Sequence, residues 1–239
     1  IMKYYRYPGN KIFVTHPAVD DRYFGLTSSK DAKKTVAGII GEDFPFILHL
    51  SSLQPRKNVP LIVAAFARLK ESNGSSLAKQ NDLKLVIVGD RSGYNYDKKI
   101  EEEIANQIRN GNLKKGDVII TGYQPKEILP YFYKAAKIFV FPSVYEGFGI
   151  PLLEAMVSKT PVIASNIGSL KEVGGKAPIY INLEDEERAD KIREAMEDLL
   201  ENDARKAKKI SLGLEQAKRF SWKKLAEKTM EVYESILSV

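Results

Sequence analysis

The stretch KIFVFPSVYEGFGIPLLEA, residues 137–155, joins an apolar run to a helix-like run through a short turn that contains two glycines. β-Branched and aromatic residues dominate the first part, as in a buried strand, and Pro151 is typical of the first turn of a helix. A strand that leads directly into a helix is the repeating unit of a parallel sheet covered by helices. The stretch therefore predicts an α/β fold with a glycine turn at the end of a strand.

The same order recurs along the chain, and the runs are apolar without alternation, as in a parallel sheet covered on both faces. We expect a single α/β domain of three layers with about six parallel strands. The strands are predicted at 46–52, 83–90, 117–123, 137–143, 161–165 and 177–182. The helices between them are predicted at 59–71, 97–110, 126–136, 151–159 and 169–174.

Outside this alternation the sequence predicts helices and one loop. The segment 27–41 is expected to form a short capped helix before the first strand, and the polar segment 71–82 a long loop. Beyond Leu183 the pattern predicts only helices, at about 184–201, 204–219 and 222–238, which should wrap the outside of the sheet. Ser221 is the expected N-cap of the last helix.

Composition narrows the classes of protein. The chain has 239 residues, 44% of them hydrophobic, and no cysteine, so disulfides and thiolate metal sites are excluded and a cytoplasmic location is expected. Its apolar runs are too short to cross a bilayer. The net charge is +6, but the lysines are scattered through helical patterns, which favours solvated faces and no nucleic-acid partner. No acidic cage for a divalent metal is evident, so no metal cofactor is expected.

Ligands of open α/β sheets bind at the carboxyl ends of the strands. Those ends carry glycines, small hydroxyls and the adjacent cations Arg56 and Lys57, in the segments SSLQPRKN, VGDRSGY, TGYQP, FPSVYEGFG and ASNIGS. Glycines and helix N-termini let backbone N–H groups approach a phosphate. The glycine signatures of dinucleotide dehydrogenases and P-loop NTPases are absent from the sequence, as are the common metalloprotease and serine-hydrolase motifs.

Two glutamates flank the glycine turn. Glu146 lies in the loop and Glu154 lies in the first turns of the helix, while the N–H groups of Gly149 and Ile150 would point outward at an anion. Carboxylates accept hydrogen bonds from paired hydroxyls, as on a ribose or a hexose, so the pattern suits a nucleotide-sugar. In the alternative interpretation Glu154 only complements the helix dipole and Glu146 is a solvated loop charge.

The segment PSVYEGFGIPLLEAM resembles the E-x7-E region of retaining glycosyltransferases of the GT-B fold, especially family 4. Further blocks agree in order, among them LSSLQPRKNVPLIVAAF, LKLVIVGD, VIITGYQPKEILPYFYKAAKIFVFPS, TPVIASNIGSLKEV and AKRFSWKKLAEKTMEVYESI. The resemblance covers essentially the whole chain. It implies one Rossmann-like half of a GT-B fold, the C-terminal, donor-binding half, in a hexosyltransferase of mannose or glucose type.

The resemblance also implies roles for the charged residues. Lys57 and Arg56 would neutralise the donor diphosphate, and Glu146 would face the hydroxyls of the transferred sugar and stabilise positive charge at its anomeric carbon. Family members often carry an arginine five residues before this lysine, whereas this sequence has Ser52 there, which makes Arg56 the expected second cation. The alternative for both cations is a solvated helix flank.

Other residues are implied to bind the donor. Glu154 would accept hydrogen bonds from the ribose, and Tyr123 would lie near the nucleobase, although it could also be a rim aromatic that packs on the next helix. The remaining implied donor-binding positions, which offer backbone amides or line the pocket, are Ser52, Gly89, Gly122, Gly147, Phe148, Gly149 and Ile150. Lys57→Ala is expected to cost the complete enzyme about 3–4 kcal/mol of activation free energy.

Three domain segments follow from the resemblance. Residues 1–25 are expected to be a linker or lead-in strand, 26–220 the nucleotide-sugar donor domain, and 221–239 a helix that packs on the domain or reaches toward a missing N-terminal, acceptor-binding domain. The chain begins at Ile1, as expected of a fragment. Because the resemblance includes no acceptor-binding half, the chain is expected to be inactive alone. In the alternative hypothesis it is a stand-alone nucleotide-sugar binding module that needs a partner chain. GDP, UDP and ADP donors all remain open, with GDP- or UDP-sugar expected and no cofactor.

Charge is segregated near the C-terminus. Residues 184–202 hold nine acidic and three basic side chains, whereas 203–228 hold nine basic and three acidic ones. The basic face could contact an anionic membrane at the inner face of the cell, or pair with the acidic helix before it. We expect the pairing.

Overall fold

Six parallel strands form one sheet in the order β3-β2-β1-β4-β5-β6. The computed structural model describes residues 2–6, 8–25, 28–72 and 83–237. The strands are β1 Phe46–Leu50, β2 Lys84–Val88, β3 Val118–Ile120, β4 Ile138–Phe141, β5 Val162–Ser165 and β6 Ile179–Ile181. This confirms the predicted single α/β domain with six parallel strands. The order reverses between β1 and β4, and such a switch point opens a crevice at the carboxyl ends of the two strands.

Ten α-helices connect and flank the strands within the described residues. They are α1 Met2–Tyr5, α2 Ser29–Ile40, α3 Val59–Glu71, α4 Lys99–Arg109, α5 Leu129–Ala135, α6 Ile150–Val157, α7 Gly168–Gly174, α8 Arg188–Glu201, α9 Asp203–Ala217 and α10 Trp222–Leu237. Short 3-10 turns lie at Gly9–Lys11, Asp21–Tyr23 and Pro55–Lys57.

The helices cover both faces of the sheet because successive strand residues point to opposite sides. Along β1, Ile47 belongs to one core with α3, α4 and α8, and Leu48 belongs to a second core with α2, α5, α6 and α7. Both side chains are fully buried. This double burial explains why the strand sequences lack polar alternation, and it gives the three-layer arrangement that the sequence predicts.

Most predicted element boundaries agree with the structure within a few residues. The capped helix before the first strand is α2, where the Ser28 hydroxyl accepts a hydrogen bond from the Asp31 amide. The last helix is capped by Ser221 as predicted, since its hydroxyl accepts from the Lys224 amide at 3.2 Å. The helix predicted from 184 begins only at Arg188, because the Asn182 side chain holds a turn through Glu184 and Asp185. Residues 73–82 of the predicted loop lie outside the described residues.

The C-terminal helices differ in how they pack. α8 buries Ile192, Met196 and Leu199 against the sheet, whereas α10 has no buried residue and exposes more than half of Trp222. No helix in the described part of the chain is both long enough and apolar enough to cross a lipid bilayer. The expected contact between the acidic and basic helices is present at Arg205 of α9, whose Nε lies 2.8 Å from Asp198 Oδ2 of α8.

Candidate functional site

The crevice between β1 and β4 is bounded by two loops. The loop after β1 contains the 3-10 turn Pro55–Lys57, and the loop after β4 runs through 142–149 into α6. A backbone hydrogen bond from the Val144 amide to the Arg56 carbonyl, 2.8 Å long, ties the two loops together. The structure thereby brings the predicted cations of one loop against the predicted carboxylate of the other.

Glu146 lies between the two cations. Lys57 Nζ donates to Glu146 Oε1 at 2.5 Å, and Arg56 Nη1 lies 3.2 Å from Oε2. The Lys57 and Glu146 side chains are only 7% and 10% exposed, whereas Arg56 is 42% exposed. The structure therefore excludes the solvated alternative for Lys57 and Glu146, and it leaves Arg56 as a partly accessible cation at the mouth of the crevice.

Lys57 is held over an apolar floor. Its ammonium lies 5.1 Å from the centre of the Phe141 ring, at the end of β4. Burial lowers the pKa of Lys57 below its ordinary value, and the hydrogen bond from Lys57 to Glu146 opposes that shift. A buried ammonium with one carboxylate partner has further donor capacity, which suits a second anionic ligand.

The glycine turn brings free amides to the same crevice. Gly149 caps α6 with a φ of 104°, a conformation that favours glycine, and an added Cβ would lie 2.5 Å from Leu170 of α7. Within the described part of the chain, the N–H groups of residues 147–150, which include Phe148, have no protein acceptor. An added Cβ at Gly147 would meet open space, so only Gly149 is fixed by local geometry. Unpaired amides at a helix N-terminus suit an anion.

A second part of the site is a cavity of about 330 Å³ at the ends of β1 and β2. It is lined by Ser52, Gly89, Tyr94, Tyr123 and other residues, so three predicted donor-binding positions meet there. Tyr94 and Tyr123 are 86% and 71% exposed, and Tyr123 therefore does not bury its ring on the next helix. Two open aromatic rings beside a mostly apolar cavity can stack on a planar ring system.

The glycines of this cavity have structural reasons as well. A Cβ on Gly89 would clash with the Ser51 carbonyl oxygen, so the close approach of β2 to the loop after β1 requires glycine. Gly122 has a φ of 77° and pairs with Gly89 through a bridge, in which the Gly89 amide donates to the Gly122 carbonyl. Gly122, although predicted to bind the donor, is not one of the residues that line the cavity.

Glu154 lies in a different setting from Glu146. Its Oε2 accepts a 2.9 Å hydrogen bond from the buried Tyr133 hydroxyl of α5, and Tyr23 is a second hydroxyl partner. Burial raises the pKa of Glu154 above its ordinary value, against the effect of the two hydroxyls. The carboxylate keeps acceptor capacity for a ligand, but the structure does not bring it into contact with Lys57 or Arg56.

Sequence reasoning missed several residues of the site. Phe141 and Tyr133 fit the apolar patterns of a strand and a helix, so nothing in the sequence separates them from other core aromatics. His49 is fully buried within β1. A histidine in the middle of an otherwise apolar strand is unusual, and it was the one sequence feature that could have drawn attention to this residue. Across the described residues no group of three or more histidine, aspartate or glutamate side chains could hold a metal ion.

The sequence matches a known protein family over most of its length. Residues 31–228 match the model of the family described as glycosyl transferases group 1. The O-antigen chain mannosyltransferase B of Escherichia coli is 30% identical over 236 residues, which cover 98% of this chain and 57% of that protein. The chain thus spans little more than half the length of this curated relative.

Solved structures share the fold. The glycosyltransferase of Rickettsia africae ESF-5 superposes with a TM-score of 0.79 at 24% identity, over 99% of this chain and 60% of that one. Anabaena HepE in complex with UDP-glucose gives a TM-score of 0.72 at 20% identity, over 95% and 57%. The six-strand parallel sheet with flanking helices therefore matches the fold of GT-B glycosyltransferase structures. The family match over 31–228 covers most of the sequence, and the chain belongs to the glycosyl transferases group 1 family.

Proposed function

We propose that this chain is the donor-binding half of a retaining hexosyltransferase. The enzyme would move a mannose- or glucose-type sugar from a nucleotide-sugar to an acceptor hydroxyl. The observation that carries the proposal is the cluster of Lys57, Arg56 and Glu146 at the switch point, beside a row of free amides. The segment Glu146 to Glu154 is the E-x7-E motif of family 4 in this proposal.

Each group has a place in the proposed reaction. As the bond between the anomeric carbon and the diphosphate breaks, negative charge grows on the leaving phosphate and positive charge on the sugar. Lys57, Arg56 and the amides of 147–150 would stabilise the phosphate, and Glu146 would stabilise the sugar. Groups that bind the charges of the transition state more strongly than they bind the intact donor lower the activation free energy.

The nucleoside would occupy the cavity beside β2. Tyr94 and Tyr123 would stack on the base, Ser52 and Gly89 would line the pocket, and Glu154 would accept hydrogen bonds from the ribose hydroxyls. HepE binds UDP-glucose on the same fold, which supports a nucleotide-sugar here, and the mannosyltransferase relative supports a hexose. UDP and GDP are both compatible with these features.

The rest of the enzyme would supply the acceptor. Relatives are longer than this chain, and α10 presents Trp222, Met230, Tyr233 and Ile236 to solvent with no buried residue. We propose that α10 packs on a second, acceptor-binding domain of the same protein. The competing hypothesis is a separate nucleotide-sugar binding module. The reading frame upstream of Ile1 distinguishes the two: a second domain encoded in frame supports the two-domain enzyme, and an in-frame stop codon supports the separate module.

The proposal is tested by calorimetric titration of the chain with UDP, GDP, ADP and their hexose derivatives. One nucleoside diphosphate is expected to bind the unchanged chain with one-to-one stoichiometry and to bind Lys57→Met much more weakly. The chain alone is expected to transfer no sugar. The proposal is wrong if none of these nucleotides binds at millimolar concentration, given folded protein by circular dichroism.

A further inference from the structure

His49 lies where strands β1 and β4 separate. The two strands pair at Ile47 with Ile138 and at Leu48 with Phe139, and the pairing ends there although both strands continue. At the next position the His49 imidazole bridges the gap, because its Nδ1 lies 2.9 Å from the Val140 carbonyl oxygen. A side chain thus takes the place of the backbone ladder at the base of the crevice.

The second ring nitrogen reaches the loop after β1. His49 Nε2 lies 2.8 Å from Ser51 Oγ, and the same Oγ accepts the Leu53 amide at 3.1 Å. One tautomer satisfies all three bonds: Nδ1–H donates to Val140, the Ser51 hydroxyl donates to Nε2, and the Leu53 amide donates to Ser51. Leu53 has a φ of 52°, an uncommon conformation, and this series of hydrogen bonds holds its backbone in place.

The chain of hydrogen bonds connects both walls of the crevice. On the β1 side, Ser51 and Leu53 lead into the turn that carries Arg56 and Lys57. On the β4 side, Val140 precedes Phe141, the ring beneath the Lys57 ammonium. Burial lowers the pKa of His49 to about 4, so the ring is neutral at physiological pH and keeps this tautomer.

We propose that His49 is a positioning residue for the phosphate-binding groups: through Val140 and Ser51 it sets the distance between the loop of Lys57 and the loop of Glu146. This inference rests on the proposed function, because the groups it positions are those that would bind the donor diphosphate. His49 itself has no route to the ligand, since it is fully buried.

The test uses variants that cut the chain at different points. His49→Phe removes both bonds and keeps a planar aromatic ring, although a larger one. His49→Asn keeps a donor for Val140 and loses the Ser51 bond. Ser51→Ala loses the bond to His49 from the other side, together with the acceptor of the Leu53 amide. Asp117→Asn is the control, because Asp117 pairs with Lys84 at the amino ends of β2 and β3, far from the crevice. Thermal unfolding gives the folded fraction of each variant.

Affinities for UDP and GDP are compared with those for uridine and guanosine. We expect His49→Phe to lower the affinity for UDP or GDP about tenfold, because small displacements of the phosphate-binding groups weaken their contacts with the ligand. The nucleoside, which needs only the cavity beside β2, should change less than twofold. His49→Asn should lose about threefold and Ser51→Ala more, since Ser51→Ala also removes the acceptor of the Leu53 amide. Their combination should lose little more than Ser51→Ala alone, since both cut the bond between His49 and Ser51. Asp117→Asn should lower stability alone.

The outcomes are separable. If the unchanged chain binds neither UDP nor GDP, the proposed function fails. If it binds one of them and both His49 variants keep that affinity, or lose diphosphate and nucleoside equally, His49 is only a core residue and the inference is overturned. Should His49→Phe not fold, His49→Asn decides, because Ser51 itself lines the nucleoside cavity. Nitrogen-15 spectra of the two histidines add an independent check: His49 should carry its proton on Nδ1 and not titrate above pH 5.

Discussion

Replacement of Lys57 by methionine removes the charge at the centre of the proposed phosphate site and keeps the apolar stem over Phe141. The ammonium lies 2.5 Å from Glu146 Oε1, and at an effective dielectric constant of about 20 the gross attraction is roughly 7 kcal/mol. Desolvation of both groups offsets much of this, so loss of one partner of such a buried pair costs about 3–5 kcal/mol. Because Arg56 still contacts Glu146 in the variant, we expect a loss of unfolding free energy at the lower end of this range, about 3 kcal/mol.

For a chain of this length that loss lowers the melting temperature by about 6–12 °C. The affinity for UDP or GDP should fall by a further amount of about 100-fold, equivalent to about 3 kcal/mol, because a buried cation is lost from the anion site. The double variant Lys57→Met with Glu146→Gln removes both charges, so stability should largely return while diphosphate affinity stays low. Calorimetry and thermal unfolding measure the two quantities separately.

Lys84→Met is the matched control. Lys84 Nζ lies 3.1 Å from Asp117, which is buried and keeps Lys70 at 3.8 Å as its remaining cation, much as Glu146 keeps Arg56. The control should lose stability without losing affinity. The assignment of Lys57 to the phosphate site is refuted if Lys57→Met, corrected for its folded fraction, binds UDP and GDP within about threefold of the unchanged chain.

Two further perturbations test neighbouring parts of the site. Gly149→Ala combines a φ of 104° with a contact of 2.5 Å to Leu170, so it should destabilise the chain by about 1–3 kcal/mol and weaken diphosphate binding; equal affinity would show that the amides of the turn do not contact the ligand. Glu154 has a raised pKa, so the unfolded chain releases this proton first, and the stability of the unchanged chain should fall as pH rises from about 4.5, the ordinary value, through the folded pKa. Glu154→Gln should abolish that fall in melting temperature and weaken nucleoside binding, and a pH profile identical to the unchanged chain would contradict the assigned burial effect.

The fold was largely predictable because each strand is a short apolar run and each helix has an apolar period. Burial on both faces of the sheet makes such runs hard to mistake, and Ser28 and Ser221 mark helix starts through ordinary capping chemistry. The boundary at Arg188 was not predictable from period, since a side-chain turn at Asn182 delays the helix. The packing of α10 depends on surfaces that its own sequence does not describe.

The site was predictable in position but not in its internal pairing. Carboxyl strand ends share one edge, so Arg56, Lys57 and Glu146 could be placed together from sequence. Their contact depends on the adjacency of β1 and β4, which are separated in the chain by two other strands and are joined only by the reversal of strand order. The bridging role of His49 has the same origin, because Val140 lies 91 positions away along the chain.

That pairing has a consequence for how a donor would bind. Two cations and one carboxylate leave a single net positive charge in the crevice, which is less than the negative charge on the diphosphate of a nucleotide-sugar. The free amides of 147–150 would therefore have to stabilise the excess negative charge through their dipoles, and a shift of Lys57 from Glu146 toward phosphate would pair the ammonium with the ligand without changing the total charge. Such a shift would release the Glu146 carboxylate at the moment when the sugar lies beside it. In the proposed enzyme, the ion pair of the free protein would hold Glu146 and Lys57 in place, and the diphosphate would separate them into their two roles.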